Sequence, residues 1–547
     1  MKRLFVCVCL LLASCAKNPV SGDYDFVVLN EQQEYKNAKK YRASIANSKV
    51  YKNKQLQFYL QNLAEEVYQV GERPDKPFSF YFLNDDDANA FAIPGYVFMS
   101  RGLIPYIQDE ASLMGVLGHE AAHINARHSV QDYSNAFLIN WLLNSLNATG
   151  SVAFTKSQID KIDELANLSY SRSQEYEADS LAVKYLDDLN VPSANFLQTF
   201  KSLGKKEELD RKTKNLNKYL TSEIKPEATY LRTHPHGKDR AEKIKKITDA
   251  WYKDIEYYNQ DRFYQMIDGL EYGYASSGGG SDYVVNYAKQ TVFKSPKSGV
   301  YGFKNTAYFK TYGIKMLMPA DYQARIKAQD PVGYNYQDDI KVSVLETDVD
   351  KTDSLLDVFA NMISLDESEK EDLSQELKKQ KSVFSTNYNN LTNSLDLNEE
   401  LFYYVDSANI LSRLLGKNSV YYYIYIKQVN KFEENGQHND IFDRYRVVVL
   451  SSKYKKSFDE SMLNDILFIK DNLVELDDTQ KAKIKPLKIK TIKTDKTLSI
   501  QELAKEYTPY IHYDQEWFKL INGIFNANDT ISPDRWLKLI PNPNKDV

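Results

Sequence analysis

The residues with the clearest chemical potential are Gly118-His119-Glu120-Ala121-Ala122-His123, set in an apolar run that begins at Leu113 and continues to His128. The run is rich in helix formers, and on a helix residues four apart share one face. His119 and His123 therefore aim their rings at a common point. Two neutral imidazoles converging in this way supply half of a tetrahedral Zn2+ site. Glu120, beside the first of them, is placed to take a proton from an attacking water, which is the HExxH arrangement of a zinc hydrolase with Glu120 as general base.

So short a pattern also arises by accident in long chains, and the reading needs a third ligand. The continuation HExxHxxGxxH requires Gly and His where this chain has Ala126 and Ser129, and His128 is one residue out of register. A carboxylate from a second helix is the other solution. Ser171-Arg172-Ser173-Gln174-Glu175-Tyr176-Glu177-Ala178-Asp179 opens a strongly helical segment with Glu175 and Asp179 on one face. Glu175 completes a His2Glu set and leaves the fourth position open, as a catalytic zinc requires. Asp179, one turn on, can orient a ligand histidine through its free ring nitrogen.

HExxH followed by SRxxExEAD resembles metallopeptidase family forty-eight, of the HtpX and CAAX prenyl endopeptidase type. Asn89 to Leu103, Thr233-His234-Pro235 with Arg240, and Asn18-Pro19-Val20-Ser21-Gly22 fit its periplasmic lipoprotein branch, whose members are BepA-like and LoiP-like. The resemblance covers roughly the first half of the mature chain. It implies one Zn2+ per chain on His119, His123 and Glu175, with Asp179 and Arg240 behind them. Three roles stand open for His234: stabilising the oxyanion, occupying the open metal position in a resting state, or shaping a turn before a helix. His128 and His236 read as surface or supporting residues. The resemblance also makes Gly95-Tyr96-Val97-Phe98 the edge strand beside the cleft, where an extended peptide binds by main-chain hydrogen bonds. The family carries two glycines after the proline of this motif, whereas this chain has Gly95 alone.

These residues must be positioned by a chain of 547 residues, longer than one core supports, so several domains are expected. A net charge of -5 without a basic stripe speaks against nucleic acid as a partner. Residues 1–14 read as a signal peptide, with Met1-Lys2-Arg3 ahead of an apolar stretch too short to span a bilayer. Leu12-Ala13-Ser14-Cys15 resembles a lipobox, which makes Cys15 the lipidation site and Ala16 a mark of transfer to the outer membrane. The chain's three cysteines are Cys7, Cys9 and Cys15, so no thiol pair remains after processing and no disulfide is expected.

The fold class is α+β. Residues 15–275 are expected to form a mainly helical, zincin-type (gluzincin) peptidase domain with a small sheet, including helices over Asp23 to Gln69 and Asp249 to Gly273. Phe137 to Leu143, ahead of Asn147 to Ser151, reads as a buried or lid helix with a flexible tip. The Ser276 to Ser281 run places a linker at 276–299. Residues 300–475 read as an α+β accessory domain with an antiparallel sheet, from strands at Gly313 to Met318, Ile340 to Leu345, Val420 to Ile426 and Tyr445 to Leu450, and helices at Leu355 to Ile363 and Phe458 to Leu473. Residues 476–547 read as a solvated basic connector and a divergent LysM-like tail, suited to peptidoglycan or to packing.

By resemblance, then, the chain is expected to be a lipid-anchored zinc endopeptidase on the periplasmic face of the outer membrane. Its substrates would be misfolded or stalled envelope proteins, in contact with the outer-membrane assembly machinery. The alternative is a chaperone-like or cell-wall-binding lipoprotein with gated proteolysis.

Overall fold

The computed structural model describes residues 15–45, 50–135, 170–215, 234, 237–248, 256–273, 283–286, 291–294, 300–309, 314–324, 333–335, 340–349, 400–406, 420–428, 443–452, 464–465, 468–469, 471–526 and 529–546. The expected signal peptide, the Phe137 to Ser151 segment, the Ser276 to Ser281 run, the Leu355 to Ile363 helix and His236 lie outside them.

β1 (Cys15–Lys17) and β2 (Tyr24–Phe26) pair antiparallel around the Asn18 to Gly22 turn. Asn18 closes that turn: its side-chain oxygen accepts from the Val20 and Ser21 N–H groups at 2.8 and 3.2 Å, and its amide donates to Asp25 at 2.9 Å. Two helices follow, α1 (Glu31–Ser44) and α2 (Lys54–Gln69), each begun by an asparagine cap, Asn30 and Asn53. Leu56, Leu60, Leu63 and Val67 of α2 recur at helical spacing and are buried in the core.

The small sheet holds β3 (Ser79–Leu83), β4 (Ala90–Ile93) and β5 (Tyr96–Ser100) in the order β3-β5-β4. β3 runs parallel to β5 and β4 antiparallel to it. This corrects the placement of the Tyr96, Val97 and Phe98 segment at the sheet edge. β5 is hydrogen-bonded on both sides, Gly95 lies in the turn, and the edge strand is β4. The physical reason is the hairpin itself: Pro94-Gly95 turns the chain within two residues, Ile93 pairs with Tyr96, and β4 is folded outside β5. Gly95 has φ +80, and a Cβ there would come within 2.9 Å of the Pro77 carbonyl oxygen and of the Tyr35 ring.

A 3₁₀ turn, Arg101–Tyr106, leads to α3 (Glu110–Asn125), capped by Asp109, whose side chain accepts from the Ser112 N–H at 2.8 Å. Every residue of α3 is buried, its polar side chains included. Gly118 lies at its crowded contact with the neighbouring helices, where a Cβ would come within 3.2 Å of the Val67 side chain and 3.4 Å of Ala182 Cα. Ala182 belongs to α4 (Arg172–Asp188), which starts at a capping box in which Ser171 and Gln174 satisfy each other's backbone N–H. α5 (Phe196–Asn215), α6 (Gly237–Thr248) and α7 (Gln260–Ile267) complete the helices around α3. In the Asp249 to Gly273 stretch, the described helix is confined to α7.

The later strands are β6 (Tyr283–Asn286), β7 (Thr291–Lys294), β8 (Val300–Phe303), β9 (Thr306–Phe309), β10 (Ile314–Leu317), β11 (Tyr322–Ala324), β12 (Gly333–Asn335), β13 (Ile340–Val349), β14 (Glu400–Asp406), β15 (Val420–Gln428), β16 (Asp443–Ser452) and β17 (Leu473–Glu475). They form an antiparallel four-stranded sheet, β17-β10-β9-β8, and an eight-stranded one along β11-β12-β13-β16-β15-β14 with β7 and β6 attached at β13.

The final region holds α8 (Asp478–Lys483), β18 (Lys490–Lys493), β19 (Leu498–Ser499), α9 (Ile500–Tyr507), α10 (Asp514–Ile521), β20 (Thr530–Ile531) and β21 (Trp536–Leu539), with β18 antiparallel to β21 and β19 to β20. The expected solvated connector is not one: Ile484, Leu487 and Ile489 are buried. Main-chain bonds join it to the stretch after α7, with the Gly269 and Tyr272 N–H groups donating to the Ile489 and Leu487 carbonyls at 2.8 and 2.9 Å. Trp517, Leu520, Ile521 and Ile540 belong to the same buried cluster as α2 and α3. Lys538, wholly buried, donates to the carbonyl oxygens of Pro105 and Ile521 and to the Gln108 side chain at 2.9, 3.0 and 3.2 Å, and also to the Ile107 carbonyl.

Candidate active site

α3 and α4 pack side by side and bring three acceptors together. His119 and His123 sit one turn apart on α3, and Glu175 lies in the first turn of α4. His234 enters from the segment ahead of α6. Among the described residues, His119, His123, Glu175 and His234 each offer one ligand atom, all within 4.8 Å of one another, and all four side chains are buried. His119 Nε2 lies 2.9 Å from His123 Nε2 and 3.2 Å from His234 Nδ1. Glu175 Oε1 is 2.9 Å from His234 Nδ1 and 3.6 Å from His123 Nε2, and its Oε2 is 3.6 Å from His119 Nε2.

This donor set suits a zinc ion. Ligands about 2.0–2.1 Å from a shared tetrahedral centre stand roughly 3.3–3.5 Å apart, and the separations here, 2.9 to 3.6 Å, bracket that spacing. Ring nitrogens presenting lone pairs to each other at 2.9 Å repel unless a cation lies between them. Burial, then the neighbouring Arg240 charge, holds His119 down at about 4, and burial with the other imidazoles pushes His123 well below its usual range. Both rings are therefore neutral near pH 7, the state that binds a metal.

Asp179, one turn after Glu175, accepts from His119 Nδ1 at 2.9 Å. Arg240 of α6 clamps it with two bonds, Nε to Oδ2 at 2.8 Å and Nη2 to Oδ1 at 2.6 Å. Arg240 Nη1 also meets Glu175 Oε2 at 2.5 Å and the His234 carbonyl at 3.3 Å. One buried guanidinium thus fixes both carboxylates and the loop bearing His234. Burial alone would raise Glu175 and Asp179, but His234 and Arg240 bring Glu175 below its ordinary value, and Arg240 with His119 does the same for Asp179.

Glu120 differs from both. Its two oxygens are buried without a hydrogen-bond partner, and Oε1 lies 3.4 Å from His234 Nε2. Burial pushes its pKa up to about 7, with His234 opposing and Glu175 adding. A carboxyl balanced between its two states can take a proton and give it back. Burial pulls His234 down, but Glu175 and Glu120 outweigh it and raise the ring above its ordinary value.

β4 borders the cluster. The Ser100 N–H donates to the Asn89 carbonyl at 2.9 Å, and by the alternation of an antiparallel ladder Phe91 and Ile93 also bond to β5, leaving the main-chain groups of Ala90 and Ala92 pointing outward. His234 Nε2 lies 3.3 Å from the Ala90 carbonyl, and the Tyr170 hydroxyl donates to the Ala92 carbonyl at 3.3 Å. Tyr170 also stacks on His123, with ring centroids 3.8 Å apart. Sequence reasoning passed over this tyrosine, whose one local signal is its place beside the Ser171 cap. His128, read as a surface or supporting residue, is wholly buried and contacts His123 Nδ1 through its own Nδ1 at 2.8 Å. Cys15 begins β1, and no described helix is long and apolar enough to cross a membrane.

Residues 54–248 match Peptidase family M48. The chain is 30% identical over 132 residues to Metalloprotease YcaL of Escherichia coli K12, covering 23% of this chain and 52% of that protein. It is 26% identical over 194 residues to the Mitochondrial metalloendopeptidase OMA1 of Schizosaccharomyces pombe, covering 34% and 52%. With the Beta-barrel assembly-enhancing protease of Escherichia coli K12 it shares 25% identity over 146 residues, covering 23% and 28%. The chain thus spans about half or less of the length of these relatives.

Proposed function

We propose, on the premise that residues 54–248 belong to Peptidase family M48, that this chain is a zinc metalloendopeptidase of the bacterial envelope. The convergence of His119, His123 and Glu175 beside a buried Glu120 whose oxygens accept no hydrogen bond carries the reading. Those three residues would hold the metal, with Asp179 and Arg240 fixing them from behind. Zinc bound there supplies Lewis acidity toward the scissile carbonyl and the attacking water. Glu120 takes the proton from that water and delivers it to the leaving amine. His234, within reach of Glu120 and of the cluster, donates to the oxyanion as it develops. The substrate strand pairs with β4 through the outward groups of Ala90 and Ala92 once it displaces His234 and Tyr170 from their carbonyls, a mode that reads backbone more than side chain.

Cys15 is the proposed site of lipidation, which anchors the enzyme at the periplasmic face of the outer membrane. Kinship with a protease named for β-barrel assembly supports misfolded or stalled outer-membrane proteins as substrates. The βααβ order of β18, α9, α10 and β21 supports the LysM-like reading of the tail, and its packing against the peptidase core supports a structural role beside it. The expected effect of Glu120→Gln is a loss of peptide hydrolysis by about 10²- to 10⁴-fold with near-stoichiometric Zn2+ retained. Full activity in this variant, or no Zn2+ in the purified parent, refutes the proposal.

A second reading is favoured by one observation: Glu120 and all four cluster residues are buried, with His234 bonded across to the edge strand. Peptide must displace something to enter, so the chain can act mainly as a gated, client-binding lipoprotein. Rescue of an envelope-stress defect by Glu120→Gln distinguishes it from proteolysis.

A further inference from the structure

Resting on the metallopeptidase reading, we propose that His128 and Glu177 form a relay that fixes the proton position and ring orientation of His123. Both are then positioning residues for the metal cluster.

His123 presents Nε2 to the cluster, 2.9 Å from His119 Nε2 and 3.6 Å from Glu175 Oε1. To serve there Nε2 must carry a lone pair, so the ring proton sits on Nδ1. Nδ1 meets His128 Nδ1 at 2.8 Å, and accepting that proton requires His128 to carry its own on Nε2. His128 Nε2 faces Glu177 Oε2 at 3.0 Å, a carboxylate oxygen that accepts. Each assignment forces the next, from an acceptor at the rim to a lone pair at the centre. The reversed order would place a proton on His123 Nε2 and close it to a metal.

His119 reaches its carboxylate directly, through Asp179 at 2.9 Å. His123 has an imidazole interposed, and the chain path explains it. α3 stops at Asn125, and Arg127 adopts the left-handed conformation with φ +61, held by an ion pair to buried Glu34. The chain then returns along the helix end, where His128 comes back beside His123, five residues earlier in sequence. α4 supplies both Glu175 to the cluster and Glu177 to the relay. Tyr170, stacked on His123 at an interplanar angle of 17°, limits rotation of the ring away from its partners. The Glu177 side chain is 32% exposed, so it can be replaced without opening the core.

The test uses the full chain with Glu177→Leu, Glu177→Gln and His128→Phe. Zn2+ affinity is read by competition with a chromophoric chelator, kcat and KM on a labelled unfolded protein, and the melting temperature on metal-free protein. Glu177→Leu and His128→Phe are expected to weaken Zn2+ binding by about 10- to 100-fold and to lower kcat with KM unchanged. Glu177→Gln, whose amide oxygen still accepts, should bind Zn2+ as the parent does. The metal-free melting temperature of Glu177→Leu should match the parent. Parental Zn2+ affinity in Glu177→Leu, or a Gln variant as weak as the Leu one, overturns the relay alone. A parent chain that takes up no Zn2+ removes the metallopeptidase reading and the relay with it.

Discussion

Arg240 shows how much of the site depends on one side chain. Wholly buried, it holds Asp179 by two bonds and Glu175 by one contact, and so aligns His119 and the cluster carboxylate together. Removing one partner of a buried ion pair costs about 3–5 kcal/mol. Since Arg240 keeps Glu175, Asp179→Asn should lower the stability of the metal-free protein by an amount near the lower end, read by urea unfolding. The pH dependence has a definite sign. Asp179 has its pKa depressed in the fold below the ordinary 3.8, so the folded state binds fewer protons there than the unfolded one. Its stabilisation is complete above pH 3.8 and is lost as pH falls below it. The Asn variant should therefore lose stability less steeply than the parent on acidification below that point.

Among elements, β4 and the turn beside it set where a peptide would lie under the proposed function. Ala92 directs its N–H away from β5, so Pro is compatible with the hairpin and deletes one outward donor. Ala92→Pro should raise KM by roughly three- to tenfold, the worth of one hydrogen bond. Gly95→Ala should act the other way, destabilising the fold by at least about 1 kcal/mol, because its φ of +80 and the nearby Pro77 oxygen leave no place for a Cβ. What the sequence reveals follows from locality. His119 and His123, or Glu175 and Asp179, are paired by the helix repeat itself, and their placement can be read off directly. The edge position of β4 depends on the parallel pairing of β3 with β5, and the return of His128 depends on one left-handed residue; neither leaves a periodic trace. Tyr170 is invisible for the same reason, since its partners, His123 and Ala92, are distant in sequence.

At the scale of the molecule, the C-terminal region is part of the body that carries the metal cluster. Trp517, Leu520, Ile521 and Ile540 share its core, and the Lys538 ammonium, which burial pushes well below its usual pKa, is compensated by oxygen acceptors from the 3₁₀ turn and beyond. Lys538→Met should cost about 1–3 kcal/mol, since it leaves buried carbonyls without donors; thermal unfolding provides the measure. Deleting residues 477–547 should give an insoluble or unfolded peptidase region, and a truncated chain with full activity would show the tail to be a detachable module.

The bonds from Gly269 and Tyr272 to Ile489 and Leu487 place departure and return of the polypeptide side by side. The stretch between them is tied down at further points, since the Lys304 N–H donates to the Pro509 carbonyl at 2.9 Å and Phe303 joins the buried core. A graft across that junction therefore has to replace those ties as well as close the chain.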